Sequence, residues 1–195
     1  MSGKALTEED LMRAVRSGDH YAYQELVKKY LTSISRYAYR MIGNQNDTND
    51  ITQETFLKLW VNAEKWDPQK AKLTTWLHRI AHNLCIDHLR KDKRNQPLKN
   101  TDEEQGYQEA SCEKNGNENE LNEKLQELAA ALRRLPEIQR SALTLCHYSG
   151  FSNKEAASIM NISVKALESA ISRAKRSLRK ALSNRTKISS NEAGI

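Results

Sequence analysis

Cysteine is scarce in this chain: Cys85, Cys112 and Cys146 are scattered through 195 residues and odd in number. That excludes a disulfide framework as the source of stability and suits a reducing compartment. Proline and glycine are few as well, three and seven, which favours helices over a turn-rich sheet protein. No apolar run approaches the roughly 20 residues of a membrane span. The first residues, MSGKALTEEDLMRAV, hold no apolar core of signal-peptide length. The expectation is a cytoplasmic protein with no membrane insertion. No run of alternating residues is long enough for a convincing strand. There is no glycine-rich phosphate loop and no nucleophile-and-base constellation, so neither an enzyme nor a cofactor is expected.

What is present is charge and helical period. The formal net charge is +6, a weak pointer to a polyanionic partner. Thr7 to Asp10 reads as a capping box that opens a helix, with Gly18 where it should stop. Asp19 caps a second helix running to about Met41, with Leu26, Val27, Tyr30, Ile34 and Tyr37 at helical spacing; Gly43 closes it. Asp47 opens a third helix through Ala63. Pro68 breaks the pattern, and Thr74 caps a fourth helix that ends near Arg94. Residues 95–119 then hold almost nothing apolar, and their six acids and two bases give −4. This reads as a flexible acidic linker. Helical pattern returns at Leu121. Pro136 starts a helix in the first-turn position that proline prefers, and Gly150 ends it. The expected class is all-α: a domain over 6–94, the linker over 95–119, a smaller domain over 120–183, and a frayed tail over 184–195.

Residues 151–174, FSNKEAASIMNISVKALESAISRA, carry two short helices joined by a turn. Ser152 and Glu155 form a capping box, Ser163 caps the second helix, and Asn161 suits a turn that needs positive φ. Leu167, Ile171, Ala174, Leu178 and Leu182 make the buried stripe of the second helix. Lys165, Ser169, Ser172 and Arg176 lie opposite, with Arg173, Lys175, Arg179 and Lys180 beside them. Residues 163–187 hold eight bases against the single acid Glu168. Small polar residues flanked by cations fit a DNA major groove. A basic helix that simply stays in water has a similar pattern; the caps and the charge density favour the DNA reading.

The first half carries two further faces. In the third helix, Ile51, Thr55, Phe56, Leu59 and Ala63 point inward, while Asp50, Gln53, Glu54, Leu57 and Val61 share a second face that mixes acids with apolar groups. That mixture reads as a docking ridge for a partner with basic and apolar features; a loosely packed two-sided core helix is the bland alternative. In the fourth helix Trp76, Leu77, Ile80, Ala81 and Leu84 form the inward side. Arg79, Asn83, Arg90 and Arg94 face away, with His82 and Lys93 close by and Gln69, Lys70 and Lys72 in the preceding loop. Cations can hold a strand's phosphates, and an amide can bond to a base edge exposed by melting. His78, His82 and Cys85 fall at i, i+4 and i+7, with His88 the nearest fourth candidate ligand. No Glu follows His78, so the zinc-protease motif is absent. The preferred reading is that Cys85 packs against the core and the histidines sit near the DNA side, with no metal.

Three blocks together, NDITQETFLKLW, TTWLHRIAHNLCIDHLRK and LRRLPEIQRSALTLCHYSGFSNKEAASIMNISVKALESAISRAKRSLRK, resemble bacterial RNA polymerase sigma factors of the extracytoplasmic-function type. The resemblance covers nearly the whole chain apart from linker and tail. It implies a second sigma region, a linker and a fourth sigma region, with core RNA polymerase and promoter DNA, duplex and melted, as partners. It implies that Asp50, Gln53, Glu54, Leu57 and Val61 dock on the coiled coil of the polymerase's largest subunit. It places Gln69, Lys70, Lys72, Arg79, His82, Asn83, Arg90, Lys93 and Arg94 at the melted minus-ten element, where a base is flipped. It places Lys165, Glu168, Ser169, Ser172, Arg173 and Arg176 at the minus-thirty-five duplex, and the acidic linker in the polymerase's RNA path. It also implies control by an anti-sigma protein, which could hold the factor at the inner membrane face. Where many members carry Gly-Thr and a base, this chain has Lys165, Ala166 and Glu168. A free-standing regulator with a response-regulator output domain is the rival reading. It would need a receiver of alternating strands and helices in the first half.

Overall fold

The structure, a computed structural model, describes residues 6–95 and 128–192. Residues 96–119 of the expected linker, and the helical pattern expected over 121–127, lie outside the described residues. All regular structure among the described residues is helical.

The N-terminal bundle has four helices. Helix α1 spans Glu8–Arg16 behind the expected Thr7 capping box, in which the Thr7 hydroxyl accepts from Asp10 N. Helix α2, His20–Ile42, starts at Asp19, whose carboxylate accepts from the amides of Tyr21 and Ala22, and ends at the left-handed Gly43. Helix α3, Gln45–Val61, starts two residues before the expected Asp47. Asn44 is its cap, accepting from the amides of Asn46 and Asp47; an Asn caps about as well as an Asp. A 3-10 turn over Ala63–Lys65 follows. Helix α4, Leu73–Asn95, takes in Thr74 rather than being capped by it, because Lys72 already accepts the first helical bond, from Trp76 N at 3.1 Å.

The C-terminal domain begins with helical residues 128–133, here α5. Helix α6 is Glu137–Leu143; Pro136 is its cap rather than its first turn. A single π turn, Thr144–Tyr148, carries the chain on. Helix α7, Asn153–Met160, has the expected Ser152–Glu155 capping box and closes on Asn161 at φ 53°, ψ 45°. Helix α8 is Val164–Glu192. It runs well past the tail expected to fray from 184, and neither Gly nor Pro interrupts 164–192.

Helix α2 is the axis of the bundle, packed against α1, α3 and α4. Its Leu26, Ile34, Tyr37 and Met41 are fully buried. Helix α4 answers with Leu73, Leu77, Ala81 and Cys85, one per turn. Trp76, Ile80 and Leu84 are only half-buried at the edge of that row. The core face of α3 carries three buried threonines, each bonded to the carbonyl four residues back: Thr48 at 2.6 Å, Thr52 and Thr55 at 2.7 Å. Satisfied this way, these three hydroxyls leave no unpaired group on the core face of α3.

The two domains share one continuous apolar cluster that runs from α1–α4 into Ala142, Leu145, Phe151 and Ala156. At its centre lies Arg140, a buried cation. Its guanidinium donates to Met41 O, the carbonyl at the end of α2, and to Arg133 O at 2.5 Å and Leu135 O at 3.2 Å, beyond α5. Helix C-termini leave carbonyls without partners and carry partial negative charge, so one guanidinium satisfies both ends. Gly43 follows immediately. Its φ is +84°, a conformation that favours glycine, and an added Cβ would lie 2.5 Å from Cδ of Arg133, whose side chain would have to move. Beside Arg140, the Ser141 hydroxyl sits 3.7 Å from the Met41 sulfur, and Phe151 meets the His78 ring edge-on at 4.7 Å.

Two histidines of α4 are buried at this junction. His78 bonds Thr74 O at 2.8 Å and the Ser33 hydroxyl at 3.2 Å; His82 bonds the Tyr37 hydroxyl at 2.9 Å through Nδ1. Burial, aided by the positive charge of Arg90, pushes the His82 pKa down to about 4. The unfolded chain therefore takes up this proton at higher pH than the folded one. The associated stability is complete above about pH 6.5 and is lost as pH falls toward 4, by on the order of 3 kcal/mol. Urea midpoints should accordingly drop between pH 7.5 and 5 in the wild type, and His82→Gln should remove that part of the pH dependence. Arg140→Ala removes the donor shared by the Met41, Arg133 and Leu135 carbonyls and should cost about 3 kcal/mol or more in urea unfolding. Arg140→Lys, with no planar fork, should recover only part of that loss.

Candidate nucleic-acid and protein interfaces

Helix α3 presents its second face to solvent. Asp50 and Gln53 are exposed, and Leu57 and Val61 are 53% and 69% exposed. Glu54 is half-exposed and pairs with Lys58 at 3.1 Å, one turn on. Apolar side chains this open, set among carboxylates on a helix already anchored by Ile51, Phe56 and Leu59, form a surface suited to a partner rather than part of the core.

Helix α4 carries the first cationic face. Arg79, Asn83, Arg90, Lys93 and Arg94 are exposed on it, and Asp87, Arg90, Lys91, Lys93 and Arg94 line an open cleft along its last turns. The loop before it is built rather than loose. Trp66 Nε1 donates to Ala71 O at 3.1 Å, and Arg16 donates to Ala63 O and Trp66 O at 3.1 and 2.5 Å. Asp67 accepts from Gln69 N at 3.0 Å and pairs with Lys70 at 3.3 Å. The Gln69 amide, then Lys70, hold its carboxyl below the usual range. Gln69, Lys70 and Lys72 are thereby displayed on an ordered turn, all exposed.

His82 does not join them. It is 7% exposed and tied to Tyr37, so it supports α4 from within instead of facing a strand. Among the described residues no group of three His, Cys, Asp or Glu is placed to hold a metal. The Cys85 thiol, buried and pushed up to about 12 by that burial, packs in the core row.

The second cationic face lies on α8. Asn161 in the left-handed region turns the chain between α7 and α8, and Ser163 Oγ accepts from Ala166 N at 3.1 Å. Leu167, Ala170 and Ala174 are buried, with Ile171 and Leu178 half-buried, which leaves Lys165, Glu168, Ser172, Arg173 and Arg176 exposed and Ser169 half-exposed. Leu182, expected in the inward stripe, is 37% exposed. Arg173 donates to the Ser169 hydroxyl at 2.9 Å, and Glu168 accepts from the Asn153 amide of α7 at 3.3 Å. The one acid of this face is therefore held by the preceding helix.

Sequence reasoning missed the contacts that join the domains. Lys72 pairs with Glu155 at 2.9 Å and Lys93 with Glu137 at 2.5 Å. Glu155, bonded by the Ser152 hydroxyl and by Lys72, has its carboxyl pKa lowered to about 2. The one available signal was Arg140, a cation two residues ahead of the apolar run ALTL, residues 142–145. No helix among the described residues is long and apolar enough to cross a membrane.

Comparison with known proteins agrees with this layout. The Sigma-70 region 2 family model matches residues 26–95, and the Sigma-70, region 4 model matches residues 125–178. The ECF RNA polymerase sigma factor SigW of Bacillus subtilis (strain 168) is 32% identical over 180 residues, 88% of this chain and 94% of SigW. SigM of the same organism is 31% identical over 161 residues, 83% of this chain and 94% of SigM. The structure of CnrH in complex with the cytosolic domain of CnrY superposes with a TM-score of 0.66 at 25% identity, covering 89% of this chain and 96% of CnrH. An exposed acidic and apolar ridge, a cationic α4 and a cationic helix-turn-helix thus occur in a chain that belongs to the ECF RNA polymerase sigma factors.

Proposed function

We propose that this chain is the promoter-recognition subunit of RNA polymerase. It joins the core enzyme, places it at a promoter through two DNA elements, and helps to open the duplex. One observation carries the reading: a single chain exposes a cationic helix on each of two domains and, apart from both, the α3 ridge. A protein that only bound polymerase would need neither cationic face. A response regulator would need strands in its first half, where all regular structure among the described residues is helical.

The roles divide by face. Asp50, Gln53, Glu54, Leu57 and Val61 grip core polymerase, the apolar pair supplying burial and the acids orienting the contact. Gln69, Lys70, Lys72, Arg79, Arg90, Lys93 and Arg94 hold the phosphates of the melted minus-ten strand, and Asn83 bonds a base edge. Lys165, Glu168, Ser169, Ser172, Arg173 and Arg176 meet the minus-thirty-five duplex in its major groove. Control by an anti-sigma protein is part of the reading. It is supported by the likeness to CnrH, solved with the cytosolic domain of CnrY, and to RpoE of Bartonella quintana, solved with the anti-sigma factor NepR (23% identity, TM-score 0.64).

In vitro transcription with core polymerase and a genomic promoter library tests the whole. Promoter-dependent transcripts are expected; no product together with no binding to core overturns the reading. Asp50→Lys with Glu54→Lys should weaken core binding at least tenfold while leaving duplex DNA binding unchanged. On the duplex, Arg176→Ala should lower the salt slope of binding by about 1 if it holds a phosphate, or relax one base preference if it reads a guanine.

A further inference from the structure

On the cationic face of α8 one side chain carries the opposite sign. Residues 163–187 hold eight bases and the single acid Glu168. That acid is exposed, and it lies in the early part of a helix that starts at Val164. An acid on a basic helix ordinarily pairs with a cation one turn away. Lys165 stands three residues back, yet Glu168 makes no ion pair among the described residues. Its partner is a neutral amide. Asn153, the first residue of α7, donates from Nδ2 to Oε1 of Glu168 at 3.3 Å. The amide is oriented from behind: its own oxygen accepts from the Cys146 thiol at 3.7 Å, so its NH2 group faces the carboxylate. Arg173, which could also have turned toward Glu168, donates to the Ser169 hydroxyl instead. One carboxylate oxygen is therefore steadied across the turn between α7 and α8, and the other makes no hydrogen bond among the described residues.

A carboxylate brought against duplex DNA repels phosphates whatever the sequence. It gains only where a base edge offers it a donor. In the major groove cytosine and adenine present an amino group, whereas guanine and thymine present acceptor atoms at the same height. Adenine sets a ring-nitrogen acceptor beside its amino group, against the second carboxylate oxygen; cytosine sets only a C–H there. Cytosine is thus the base that a fixed carboxylate selects. The flanking side chains allow the approach: Ala166 and Ser169 are small, and the exposed Lys165 and Arg176 can hold phosphates on either side. We propose that Glu168 is a base-selecting residue that demands cytosine at one position of the minus-thirty-five element, with Asn153 as its positioning residue. The proposal rests on the assignment of α8 to that duplex given above. A lysine at the same place would seek guanine instead, so this one side chain sets the sense of one base pair in the promoters the chain reads.

Holoenzyme assembled from core polymerase and the full-length chain supplies the test. It is bound to a promoter library randomised over the minus-thirty-five segment, and the retained sequences are counted. The wild type should favour cytosine over every other base at one position, by about tenfold. E168A should flatten that position while sequences that lack the cytosine are retained better, because the repulsion is gone. E168K should select guanine in place of that cytosine. N153A should weaken the cytosine preference at the same position, and Asn153→Gln, which keeps an amide donor, should restore part of it. A purely structural role for Asn153 would not confine its effect to one base pair. The second measurement uses the selected duplex with that cytosine replaced by a pyrimidinone nucleotide, which lacks the amino group. The replacement should cost the wild type about tenfold more affinity than it costs E168A. Uniformly tighter binding by E168A with an unchanged base profile would mean that the carboxylate only repels, and overturns the proposal. So does a Glu168-dependent preference for adenine, or an equal loss for both proteins on the pyrimidinone duplex. If the wild-type holoenzyme selects no sequence in this segment, the assignment of α8 itself fails and the proposal falls with it.

Discussion

Helix α2 ends in the middle of the molecule, and its final carbonyls face the second domain instead of water. An orphan carbonyl in a buried place is costly unless a donor reaches it. The donor here is Arg140, whose guanidinium serves Met41 on one side and Arg133 and Leu135 on the other. A planar fork of five donors is the side chain suited to two helix ends at once. The same contact neutralises the negative ends of α2 and α5 and keeps a buried cation surrounded by oxygen. Gly43, the closeness of Arg133, and the packing of Ser141 on Met41 all follow from holding these ends together.

With that joint made, α4 has three duties on one cylinder. Its Leu73–Cys85 row fills the bundle, its His78 meets Phe151 of the other domain, and its arginines remain in solvent. Helix α3 divides its surface more simply, with hydroxyls and large apolar groups inward and the ridge outward. Both helices are stiffened from behind by buried contacts, so their outward side chains stand on rigid supports. Helix α8 is arranged in the same way: α7 sets it through Asn161 and steadies Glu168 through Asn153.

Much of this was legible in the chain. The Thr7 and Ser152 capping boxes and the left-handed Asn161 rest on interactions within four residues, and these depend little on the rest of the fold. The ridge and the two cationic faces follow from the 3.6-residue period. What misled was local ambiguity and distant contact. Asn44 and Asp47 compete as caps on nearly equal terms. The histidines of α4 sit beside a basic stripe, and period alone assigns them to solvent. Nothing near them in sequence announces Tyr37, 45 residues from His82, or Phe151 in the other domain.

The chain by itself determined which of the described segments are helical and which faces carry charge, because turns and amphipathic period act over a few residues. The tertiary structure alone decided that the domains share a core, that His82 supports α4 from inside, and that Lys72 and Lys93 are already paired. Those outcomes hang on side chains that meet across 44 to 83 positions of sequence. Pairing at such a distance is set by packing geometry, on which local pattern carries no information.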